Sequence, residues 1–346
     1  MRIHEPENPS FVRFWPWLTG LICLTLVTAF PAQALEATCG SNLFEELDHR
    51  DPEKLEQIRT AAEQTPNGQG LLWRIDAEDR KPSYIFGTMH LSDERVLDLP
   101  SEVTDAFDAS DAVVIETTDV LDRSAVAGEI ARQPHLMMFP EGESLTDHLT
   151  DADEQKLRLW LKERDISFDT IVKMRPWMIL SMASQPACET KRQAEGAKIL
   201  DFVLAERAEK AGKELAGLET LAEQFAALGG FPTEVQLRAL LGTASMGDKA
   251  DDVIETLINL YVEGETGMFS PAVLHLVPHD ADELDDYTRF EEQVVIKRNH
   301  LMATRAVEHL EQGGAFIAVG ALHLPGDEGI IELLRNAGWT VVVRAD

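Results

Sequence analysis

The sequence is short of positive charge. Its 346 residues hold 31 Lys and Arg against 61 Asp and Glu, a formal net charge of −30. A surface of that sign repels phosphate backbones and anionic headgroups, so nucleic acid and anionic lipid are excluded as expected partners. Cysteine is also scarce. There are three, at positions 23, 39 and 188, and none lies in a C-x-x-C pair, so no zinc knuckle or dithiol redox centre is expected. No Gly-x-Ser-x-Gly elbow occurs, which removes the usual serine hydrolase. Short-period repeats and low-complexity tracts are absent. After residue 30 no apolar run is long enough to span a bilayer.

The one long apolar run stands at the start. Trp15 to Phe30 follows Arg2 and Arg13 and precedes Ala32-Gln33-Ala34, a small-x-small cleavage pattern. Residues 1–34 therefore read as a signal peptide cut after Ala34, which sends the mature chain to the periplasm or outside the cell. Glu5 and Glu7 dilute the leading positive charge, and an uncleaved N-terminal membrane anchor is the competing reading. Cleavage would remove Cys23. Cys39 and Cys188 would then be two thiols in an oxidising compartment, able to form a disulfide that spacing alone does not prove.

With 44% hydrophobic residues, the chain can build one large core or two modest ones. Residues 41–64 read as polar helix broken near Pro52. "LLWRID" and "SYIFGTMH" form a hairpin-like strand pair around a charged turn. "PSEVTDAFDAS" is a helix and "DAVVIETTD" a compact strand ending in an acid. The middle of the chain, about 124–284, is helical. Within it, 197–212 closes on Gly212, "KELAGLETLAEQF" gives a short strand and then a helix, and two helices follow through 232–245 and 248–264. "MFSPAVLHLVPHDADE" looks irregular, which makes His275 and His279 loop residues. A long helix over 284–312, the strand "AFIAVG", a helix and the strand "WTVVVRA" complete the chain. Strand–helix–strand units at both ends suggest parallel pairing. The fold class is therefore α/β: duplicated halves sharing one central mixed sheet, with a helical insert between them. Residues 35–346 are expected to form a single catalytic domain.

The duplication shows most sharply in one phrase. "YIFGTMHL" (84–91) and "IAVGALHL" (317–324) are apolar strands that each end in Gly-x-x-His-Leu. Gly87 and Gly320 would let the chain turn over the sheet edge with close backbone approach. His90 and His323 would then stand where the strands end, the edge at which open α/β sheets bind ligands. Two imidazoles need at least one further donor to hold a metal. Glu116, ending "AVVIE", should emerge at the same edge. Such a set could hold a divalent ion with an open position for water, or Glu116 could be the general base with other oxygens completing the shell. The spacing does not separate those roles.

These stretches, together with "GLETLAEQF" and "KRNHLMATRAVEHL", resemble the TraB/GumN family, which includes the Tiki metalloproteases; the resemblance runs over nearly the whole mature chain in the same order. It implies a fold likened to erythromycin esterases and haem-binding ChaN-like proteins. It also implies a divalent metal (manganese, cobalt or zinc) and a peptide or protein substrate. Carried over residue by residue, it places His90, Glu116 and His323 at the metal, with Arg298 and Asn299 in the catalytic set. Glu219 braces the cleft and Gly87 and Gly320 shape the turns. The leading expectation is a metal-dependent hydrolase of peptidase type, in which Arg298 or Asn299 stabilises the oxyanion. Two others stand beside it: a binding protein for haem, metal or a signalling peptide, and a metal-free esterase with a histidine base. Substrate, metal identity and oligomeric state are not written in the sequence.

Overall fold

The computed structural model describes residues 38–344, so the expected leader over 1–34 lies outside the described residues. Six strands form one mixed sheet: β1 (Leu72–Asp76), β2 (Ser83–Thr88), β3 (Ala112–Ile115), β4 (Glu214–Gly217), β5 (Ala315–Gly320) and β6 (Thr340–Val343), in the spatial order β4-β3-β5-β2-β1-β6. β1 and β2 are the antiparallel hairpin, and β6 pairs antiparallel with β1 on the outer edge. β2, β5, β3 and β4 run parallel. The units from the two ends interlock. β3 follows β2 in the chain but lies beyond β5, while β6 follows β5 but lies beyond β2 and β1.

Alternation along β5 separates two cores. Phe316 and Ala318 face one side, where they join Phe86, Val113 and Phe107 and residues of the helices Leu200–Ala211 and Lys249–Val262. Ile317 and Val319 face the other, against Met302, Ala306 and Leu310 of the helix Lys297–Gln312 and Ile330, Ile331 and Leu334 of the helix Ile330–Asn336. A strand buried on both faces reads as a continuous apolar run, and "AFIAV" is one. A third core, around Leu157, Trp160, Leu161, Phe168 and Ile179, belongs to the helices between β3 and β4 and to the helix Thr233–Met246.

The segment expected to be irregular is partly helical. Phe269–Leu276 forms a helix that contains His275, and His279 lies outside it. Pro271 sits in the first turn, where its missing N–H is no loss, and Pro278 follows the end. The long stretch from residue 284 also carries a surprise: a π-helical turn, Glu291–Ile296, joins Ala281–Phe290 to Lys297–Gln312. Such turns often mark functional sites.

Cys39 and Cys188 are joined by a disulfide, with Cα atoms 5.6 Å apart and a sequence separation of 149. It fastens the N-terminal segment to the helix Ala187–Ala194. Closing a loop of that length restricts the unfolded chain, so serine at both positions is expected to lower stability by about 2–4 kcal/mol. The check is the urea midpoint; an unchanged midpoint would mean that the link adds nothing to folding. Among the described residues no helix is long and apolar enough to cross a membrane.

Candidate active site

The two Gly-x-x-His turns touch. β2 and β5 are neighbours in register, with Gly87 opposite Val319 and Thr88 opposite Gly320. A Cβ added to Gly87 would stand 2.8 Å from Leu324 Cδ1 and 3.0 Å from Ala321 Cα, so a side chain there would crowd the second turn where it lies on the first. The buried Tyr261 hydroxyl donates to the Gly87 carbonyl at 2.9 Å and fixes the turn from the insert side.

His90, Glu116 and His323 converge on Gly320. The point that a Cβ on Gly320 would occupy is 3.2 Å from Glu116 Oε1, 3.4 Å from His323 Cδ2 and 3.9 Å from His90 Nε2. Glu116 follows β3 directly and is buried. Its Oε1 accepts from the Gly320 N–H at 2.7 Å, and its Oε2 accepts from Arg298 Nη2 at 2.7 Å and from Gln224 Nε2 at 3.2 Å. His323 Nε2 lies 3.8 Å from Glu116 Oε1, beyond hydrogen-bond reach.

Each imidazole is held through Nδ1. His323 Nδ1 is 2.6 Å from Asn299 Oδ1, while Asn299 Nδ2 donates to the Glu328 carbonyl at 2.8 Å. That second bond fixes which end of the amide faces the ring. Asn299 Oδ1 must accept, so His323 carries its proton on Nδ1 and keeps a lone pair on Nε2. Burial, acting against the nearby Glu116, pushes its pKa down to about 4, so the ring is neutral at neutral pH. His90 Nδ1 is 2.8 Å from Asp201 Oδ2, and Thr88 Oγ1 donates to Asp201 Oδ1 at 3.0 Å. Burial works against a charge on His90, but Asp201 outweighs it and raises the pKa to about 9. The side chain lines the cleft and still keeps 54% of its surface exposed. For Glu116, burial alone would raise the pKa; the imidazoles, Arg298 and the Gly320 N–H reverse that and hold it at about 2.

Arg298 braces the acids. Its Nε and Nη2 donate to Glu219, which is buried, and Nη1 donates to the Val294 carbonyl within the π-helical turn. The turn thus supplies the acceptor that aims the guanidinium inward.

Of the residues expected from sequence, His90, Glu116, His323, Arg298, Glu219 and Gly320 meet at one place, and Gly87 packs beneath them. Asn299 does not face the cleft: it is 1% exposed, both ends of its amide are engaged, and it orients His323. Asp201 and Gln224 are additions that the sequence reading did not single out. Asp201 sits in the first turn of Leu200–Ala211, on the same helical face as the fully buried Ala205 and Ala208. An acid on an apolar stripe was the available signal.

Among the described residues, no three His, Cys, Asp or Glu side chains are arranged as a ready metal site. The donor chemistry nevertheless fits a divalent ion, which on binding would displace the Nε2 proton that His90 carries at neutral pH. Each histidine has Nδ1 engaged by a carboxylate or amide oxygen, the arrangement that orients metal-ligating imidazoles, and Glu116 Oε1 retains a second lone pair beside the Gly320 N–H. The cleft beside these groups has a volume of about 330 Å³ and is lined also by Thr117, Val120, Leu121, Ile199, Phe202 and Leu228.

The fold and this edge define an α/β protein with paired histidines and a buried carboxylate at the carboxyl ends of parallel strands. The TraB/PrgY/gumN family profile matches residues 71–343, and the chain belongs to that family. It is 28% identical over 320 residues to "Metalloprotease TIKI2" of Xenopus tropicalis, covering 78% of this chain and 59% of that protein. It is 28% identical over 318 residues to "Metalloprotease TIKI1" of Homo sapiens, covering 78% and 61% respectively. An uncharacterized protein of Treponema pallidum (strain Nichols) is 21% identical over 262 residues, covering 73% of this chain and 76% of that one. The chain thus spans about three fifths of the length of the TIKI relatives named here. No solved structure matches it.

Proposed function

We propose that the chain is a metal-dependent hydrolase of peptide bonds, acting outside the cytoplasm. The observation that carries this reading is the convergence of His90, Glu116 and His323 within 4 Å of one point at Gly320. The name metalloprotease carried by the TIKI relatives supports it. His90 and His323 through Nε2, and Glu116 through Oε1, would hold the ion; manganese, cobalt and zinc all suit two imidazoles and a carboxylate. When bound, the ion would supply a Lewis acid and lower the pKa of a water molecule towards neutrality. Asn299 and Asp201 fix the tautomer and direction of the two rings. Arg298 keeps Glu116 ionised, and its positive charge at the cleft favours the developing oxyanion.

We propose in addition a duplicated core of erythromycin esterase and ChaN-like type within a single catalytic domain; strand direction supports the duplication. Each Gly-x-x-His strand is followed by a helix and then by a strand that runs in its own direction. The disulfide supports export, in line with the proposed signal peptide.

Elemental analysis of the purified chain beside His90→Ala tests the reading. The wild type is expected to hold a divalent metal and cleave members of a peptide library, and the variant to lose both. Stoichiometric metal with no hydrolysis of any library peptide would rule out the peptidase, while hydrolysis that survives thorough chelation would rule out the metal. Asp201→Asn should keep the bond to Thr88 and weaken the orientation of His90. Metal affinity is then expected to fall by about 10–100-fold with the fold intact. Unchanged affinity in a competition titration would show that Asp201 does not position the ring.

A further inference from the structure

His90, Glu116 and Thr117 line the cleft from the strand ends and Asp201, Gln224 and Arg298 from helices, but the partly exposed apolar lining comes only from outside the sheet. Val120 and Leu121 belong to the 3-10 turn after β3, Ile199 and Phe202 to the start of the helix Leu200–Ala211, and Leu228 to the helix Leu221–Gly229. All five side chains are partly exposed, and they share the cavity with His90, Glu116 and Arg298. In a chain with twice as many acidic as basic residues, five apolar side chains from three separate elements around one polar centre make a selective wall. A small, charged or flexible group leaves such a wall wetted. A branched aliphatic or aromatic group dries it and gains the burial of its own surface as well.

We propose that this wall is the specificity pocket, and that the substrate presents a bulky apolar side chain, leucine-like or aromatic, next to the bond that reacts. The inference rests on the peptidase reading above and deepens it. The cavity of about 330 Å³ is at the small end of ligand sites, which suits a side chain with its adjoining backbone. Three of the five wall residues belong to the insert, and the helices that carry Phe202 and Leu228 also carry Asp201 and Gln224, so the elements that choose the substrate also hold His90 and Glu116 in place.

Binding tests this independently of turnover. The probes are N-acetyl-leucinamide, N-acetyl-phenylalaninamide and N-acetyl-glycinamide, titrated into the full-length protein by NMR or calorimetry. The leucine and phenylalanine amides are expected to bind at least about tenfold more tightly than the glycine amide. Leu228→Asp should remove that difference while leaving metal content unchanged. Phe202→Ala, a milder change in case Leu228→Asp does not fold, should shift preference from the phenylalanine amide towards the larger tryptophan amide. Equal binding of all probes would overturn the proposal even if peptides are cleaved, and so would selectivity unaffected by the folded variants. Selective binding without cleavage of any peptide would leave the pocket standing and refute the peptidase reading instead.

Discussion

Replacing Arg298 by leucine is expected to lower the stability of the folded chain by about 3–5 kcal/mol at neutral pH. The side chain is 14% exposed and lies between two carboxylates, Glu116 and Glu219, that are 8% and 0% exposed. Leucine fills most of the space but leaves both acids buried without their guanidinium. Removing one member of a buried ion cluster costs far more than the cluster contributes relative to an apolar core, because the remaining charges lose their partner. Acid should relieve the defect. In the wild type Glu116 is held at about 2, below its ordinary 4.5, so its ionised form favours folding above pH 4.5. That contribution is lost as pH falls towards 2. Without Arg298 burial meets less opposition, the carboxyl titrates higher, and protonation removes the uncompensated charge. The gap between variant and wild type should therefore narrow between neutral pH and about pH 4. Urea unfolding at both values is the check. A gap below about 1 kcal/mol, as an exposed pair would give, or one independent of pH, would mean that Arg298 is not the acids' counter-ion.

That Arg298 should turn inward and pair with Glu219 or Glu116 was legible before any coordinates. Val294, Val295, Leu301 and Met302 place an apolar stripe beside Arg298, and an inward guanidinium needs a carboxylate. What the pattern could not convey is that it serves both acids at once, because that depends on a π-helical turn whose composition resembles ordinary helix. The strands ending in Gly-x-x-His were readable for a related reason: burial on both faces writes an apolar run, and close approach of other groups at the sheet edge writes a glycine. Strand order was not readable. Whether β6 returns beside β2 or beyond β1 is decided by long-range packing, and nothing local in "WTVVV" encodes it. Asp201 was missed because an acid in a first helical turn has an ordinary explanation in the helix dipole. Only its place on the stripe with Ala205 and Ala208 gives it away. Asn299 was recognised but its task was not: the sequence puts it beside Arg298, and the helix turns it away from the cleft to hold the back of His323.

Gly320→Ala is expected to abolish metal uptake, by more than about a hundredfold in affinity, while changing stability by less than about 1 kcal/mol. The backbone there, φ −53° and ψ 135°, is one that alanine adopts without strain, and the N–H that donates to Glu116 remains. Only the methyl is new. It would stand 3.2 Å from Glu116 Oε1, 3.4 Å from His323 Cδ2 and 3.9 Å from His90 Nε2, in the space between the three donors. The paired glycine supplies the control. At Gly87 the added Cβ would come within 2.8 Å of Leu324 Cδ1 and 3.0 Å of Ala321 Cα, in a packed core away from the donors. Gly87→Ala should therefore destabilise by about 1–3 kcal/mol through overpacking, and whatever fraction folds should still take up the ion. Two substitutions of the same kind, at the same place in two copies of one motif, thus separate a glycine needed for packing from a glycine needed for room. Metal content measured on the folded fraction of each decides the matter, and wild-type content in Gly320→Ala would mean that no ion is held between His90, Glu116 and His323.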